Sequence, residues 1–125
     1  MELGRNLVMV GIGGLLGSVA RYLVGQFIAK LFPLNFPYGT FLVNVVGCLA
    51  IGIFYGIAEK QSWFSNEWRL FLIVGLCGGF TTFSSFAWEN LSFLQNSNYT
   101  GFFLYTFGSF ISGLLAVWTG LIITK

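Results

Sequence analysis

Four apolar runs limit what this chain can become: Leu7–Ala29, Gly39–Ile57, Leu70–Trp88 with its helix reaching about Leu94, and Gly101–Thr124. A helix rises about 1.5 Å per residue, so roughly 20 apolar residues cross a hydrocarbon core about 30 Å thick. Inside a bilayer the backbone has no water to bond, which leaves helices as the way to span it with segments of this length. The predicted fold is an all-α membrane protein, a single four-helix transmembrane domain over all 125 residues. A composition 56% hydrophobic and 8% charged, with a mean hydropathy of +0.82, argues against a water-soluble domain.

The charges exclude other classes. Six basic residues stand singly and give a net charge of +2, with no cluster to grip nucleic acid or anionic lipid. Cys48 and Cys77 lie in apolar runs without a partner at metal-ligand spacing, and there is no histidine to serve as a general base for the hydroxyls. They read as buried apolar thiols in a protein that is not an enzyme.

Connections and packing faces follow from the small residues. Pro33 and Pro37 end one helix and lead into the next, and Trp63 and Trp68 stand where interfacial aromatics belong. The opening run imitates a secretory signal. However, Gly13, Gly17, Arg21 and Gly25 fall four apart, which marks a retained packing helix. Gly52 with Gly56, and Gly108, Gly113 and Gly120, predict further close approaches. With four spans both termini share a side, which holds Arg5, Lys60, Arg69 and Lys125 against Lys30 and Arg21 opposite. So slight a bias predicts insertion in both orientations.

The stretch Gly75–Glu89, GLCGGFTTFSSFAWE, carries the polar chemistry. Gly75, Gly78 and Gly79 weaken a helix, so the third span is predicted to break near Gly75–Thr81. Beyond the break, Thr82, Ser85, Glu89 and Ser92 form one helical stripe, with Phe83, Phe86 and Phe93 beside it. Polar groups at bilayer depth must face protein, water or a permeant species. On the second span Asn44, one turn from Thr40, is either interhelical glue or part of a polar path. Arg21 either snorkels to a headgroup or sets a positive charge in an aqueous vestibule. On the fourth span Tyr105, Ser109 and Ser112 share a face, as packing groups or as the far wall of the path.

Four thin helices fill their own interior, so a hydrophilic path needs more walls, and a homodimer is the economical source. Aromatic rings carry a positive edge, so edges of Phe83 and Phe86 beside donors such as Thr82, Ser85 and Asn44 suit a small anion. Apolar packing accounts for the same rings.

The runs GLCGGFTTFSSF, GGLLGSVARY around Arg21 and PYGTFLVN ending at Asn44 closely resemble the Fluc (CrcB) fluoride channels of bacteria, over essentially the whole chain. The resemblance implies an antiparallel, dual-topology homodimer in the bacterial inner membrane. It would have two passive fluoride pores and a structural central Na+, and would relieve fluoride toxicity. It assigns Phe83 and Phe86 to the ring pair lining each pore and Asn44 to the amide near the ion path. Ser84, Ser85, Tyr105 and Ser109 fall on its polar track, beside the stripe of Thr82 and Glu89. Arg21 and Thr40 resemble its vestibule residues, and the carbonyls of Gly78 and Thr81 resemble its Na+ ligands. Ala87 stands where a serine often follows, and Gly113 where a hydroxyl often lies.

Two other classes remain. A proton-coupled exporter of cationic drugs has similar size, but such exporters need an acid in the first span, which here holds Arg21, and Glu89 is the membrane-embedded carboxylate. An assembly subunit would explain the packing faces but not hydroxyls aligned beside phenylalanines.

Overall fold

The computed structural model describes residues 2–33 and 35–125, all helical apart from short connections. Helix α1 is Glu2–Leu31 and α2 is Tyr38–Lys60. The third span runs through α3 (Asn66–Trp68), wider π-type turns over Arg69–Cys77 and α4 (Gly78–Phe80), then resumes as α5 (Phe83–Gln95). The fourth span is α6, Tyr99–Ile123. Four helical stretches, Asn66–Gln95 counted as one, are long and apolar enough to cross a membrane.

Small residues bring the backbones together. A side chain at Gly17 would meet the Phe80 amide nitrogen at 2.9 Å, and one at Gly79 would meet the Gly14 carbonyl at 2.7 Å, so α1 lies directly on the first half of the third span. Gly52 and Gly120 do the same for α2 and α6: a methyl at Gly120 would stand 2.7 Å from the Ile53 nitrogen. Such closeness is the main source of attraction between helices in lipid, where apolar burial contributes little. Gly108 meets nothing within 4 Å among the described residues, so it thins no contact inside the chain.

The break in the third span falls at the far end of the predicted Gly75–Thr81 stretch, past its glycines. Gly75 and Gly79 pack against α1, and Gly78 keeps helical dihedrals (φ −62°, ψ −38°). The chain leaves the helix at Thr81 (φ −89°, ψ 159°) and Thr82 (φ −150°, ψ 118°). Both are β-branched residues at ease in extended backbone. Glycine is small as well as flexible, and here its smallness is what the structure uses. The new helix starts with a side-chain cap, Thr82 Oγ1 accepting from the Ser85 amide at 3.2 Å.

Candidate functional site

At the break the backbone loses its helical partners, and two side chains from other spans replace them. The Asn44 amide group bonds Thr82 twice: Oδ1 accepts from the Thr82 N–H at 2.8 Å, and Nδ2 donates to the Thr82 carbonyl at 3.1 Å. Asn44 is therefore glue between α2 and the break, and it also lines the groove beside the break. Arg21 Nε donates to the Gly79 carbonyl at 2.9 Å. A guanidinium at the C-terminal end of a half-helix is favoured by the helix dipole. This bond went unforeseen, although the four-residue spacing from Gly17 to Arg21 aims the side chain at that end.

Among the described residues, the carbonyls of Gly78, Phe80 and Thr81 accept no hydrogen bond. Free carbonyls at a half-helix C-terminus are what a buried cation needs, so Gly78 and Thr81 suit the Na+ role that resemblance assigns them.

A groove of about 530 Å³ runs beside the break, between α2, α5 and α6. Asn44, Thr82, Phe83, Phe86, Thr106 and Ser109 are among its walls. The rings of Phe83 and Phe86 lie 5.9 Å apart at 46°, and Phe86 stands 5.0 Å from Tyr105. Phe83 is 79% exposed, so this groove is open on one side. Ser109 Oγ is buried there with no hydrogen-bond partner among the described residues. A buried orphan hydroxyl carries a penalty of about 1–3 kcal/mol, which a bound acceptor would remove. Ser84 Oγ lies 3.3 Å from Thr82 Oγ1 at the exposed edge.

Glu89 joins three helices. It accepts from Thr40 Oγ1 at 2.7 Å and from Tyr105 Oη at 2.7 Å. Thr40 and Tyr105 thus meet through a carboxylate, a link that stripe analysis within single helices does not reveal. One residue further along each helix, Thr106 Oγ1 donates to the buried Asn90 Oδ1 at 3.2 Å, tying α5 to α6; neither residue stood out in the sequence. Ser92 donates to the Trp88 carbonyl of its own helix at 3.1 Å, on the same cavity wall as Glu89.

The chain matches the family described as CrcB-like protein, Camphor Resistance (CrcB), over residues 8–121. It belongs to the CrcB family. Within that family it is similar to a protein of Flavobacterium psychrophilum named fluoride-specific ion channel FluC, with 49% identity over 97% of this chain and 98% of the relative. Proteins of the same name from Phocaeicola vulgatus (44% identity; 94% of this chain, 96% of the relative) and Bacteroides fragilis (47%; 93% of each) are also similar. These CrcB relatives are named as channels, not enzymes.

Proposed function

We propose that the chain forms a passive, fluoride-selective channel of the bacterial inner membrane, an antiparallel homodimer with two pores that lets cells release fluoride. The names of its relatives support this reading. The observation that carries it is the unpartnered Ser109 hydroxyl in a groove shared with Phe83, Phe86 and the Asn44 amide. A small halide gives up a tightly held water shell on entering lipid depth, so it needs hydrogen-bond donors at short range. Ser109 and the second Asn44 N–H supply them in the groove, and the positive ring edges of Phe83 and Phe86 add weaker attraction that cations lack. Thr82 and Ser84 mark the exposed end. Glu89 orients the Thr40 and Tyr105 hydroxyls at the other end, while Arg21 holds its positive charge at the Gly79 carbonyl beside the break.

A second copy completes the walls. The open side at Phe83 and the uncovered Gly78 and Thr81 carbonyls lie near the middle of the third span, where lipid cannot satisfy them. Facing copies would bring those carbonyls together around Na+, which would hold the dimer without driving transport. Weak charge bias between the two sides is compatible with opposite insertion.

Expression in a fluoride-sensitive bacterium lacking its own fluoride exporter tests the proposal. Growth should return in millimolar fluoride and be lost with Phe83→Ile plus Phe86→Ile. Absence of rescue by membrane-inserted parent protein would overturn it.

A further inference from the structure

A second cavity, about 550 Å³, opens at the other end of α5, between the C-terminal end of α1 and the start of α2. Its walls carry Phe32, Phe36, Tyr38, Trp88 and Phe93, and Glu89 is the one charged residue among its described lining. The rings hold one another in place: Phe36 lies 4.9 Å from Tyr38 and 6.3 Å from Phe93, and Phe32 lies 5.2 Å from Tyr38. Glu89 receives two hydroxyl bonds, while the ion pair found among the described residues joins Arg5 and Glu67 instead. A part-buried carboxylate without a cationic partner leaves negative charge uncompensated at the floor of an aromatic chamber.

We propose that this chamber is a binding site for a quaternary or alkyl ammonium ion, with the aromatic walls around its alkyl groups and the Glu89 carboxylate as counter-charge. Aromatic faces attract such cations, and a volume of this size lies within the range of small-molecule sites. The chamber shares Glu89 and Thr40 with the far end of the proposed fluoride path, and ammonium binding there is read without any measurement of fluoride flux.

Calorimetric titration of the purified full chain with choline, and with its neutral isostere 3,3-dimethylbutan-1-ol, tests it. Choline should bind saturably and at least about tenfold more tightly than the alcohol, since a desolvated cation–π contact and a facing carboxylate each contribute on that scale. Glu89→Gln should weaken choline binding about tenfold and leave the alcohol unaffected. Trp88→Leu, on an exposed wall position, should weaken choline about threefold and covers the case in which the Glu89 variant fails to fold. Equal binding of choline and alcohol, no saturable choline binding, or parental choline affinity in Trp88→Leu and in a folded Glu89→Gln would overturn the site. Nanodiscs of phosphatidylglycerol, with and without phosphatidylethanolamine, identify the source of the ammonium. Choline weakened by phosphatidylethanolamine marks a lipid headgroup as occupant, and unchanged choline affinity marks a soluble ion.

Discussion

Asn44 shows how one side chain can hold a broken helix together. Its amide supplies a donor and an acceptor where the backbone has neither, at 2.8 and 3.1 Å from Thr82. Asn44→Leu should therefore cost about 1–3 kcal/mol, as a backbone N–H and C=O lose partners at depth. Denaturant or thermal unfolding of the solubilised protein measures it, and an unchanged transition would show that the break is held elsewhere. Thr40 and Tyr105 share one acceptor, so Thr40→Val and Tyr105→Phe should each cost about 1.5–3 kcal/mol. Together they should cost less than their sum if losing one bond shifts Glu89 from the other. At Phe83 and Phe86, isoleucine keeps apolar volume and removes the ring edge. Each substitution should cut fluoride flux about tenfold or more, equivalent to about 1.4 kcal/mol of barrier, with assembly intact. Parental flux in both would make the rings packing only. The stripe of Phe83 and Phe86 was legible because helical spacing alone brings it out. The Glu89 junction was not, because it joins three helices whose relative rotation no local pattern states.

Among the elements, the spans were the most readable part, since long apolar runs have few alternatives in a bilayer. The helix break was readable as an event and to within the stretch Gly75–Thr81, but the residues that make it were not. Gly75 and Gly79 could have supplied flexibility, yet they lie against Gly13 and Gly14 of α1, and the extended residues are Thr81 and Thr82. This difference is testable. Gly17→Leu would drive a side chain into the Phe80 backbone and should destabilise by about 1–3 kcal/mol or prevent assembly. Gly11→Ala has open space around it and should be neutral or slightly stabilising through helix propensity. Paired unfolding measurements separate the two, and equal losses would contradict the close contact of α1 with α4.

As a whole molecule, four slender helices leave their polar surfaces unfinished. A groove open at Phe83 and free carbonyls at Gly78 and Thr81 ask for a second copy, and family membership supplies the context in which relatives bear the name of fluoride channels. If Na+ bridges two copies, replacing it with N-methylglucamine should lower the thermal stability of the dimer. Identical melting in both ions would remove sodium from the account. The central claim is that buried donors beside ring edges pass fluoride and reject a larger halide. Efflux from liposomes containing the purified protein, loaded with equal fluoride and chloride and read by ion-selective electrodes, tests it most directly: fluoride should leave rapidly while chloride stays, and chloride leaving as fast as fluoride would contradict the account.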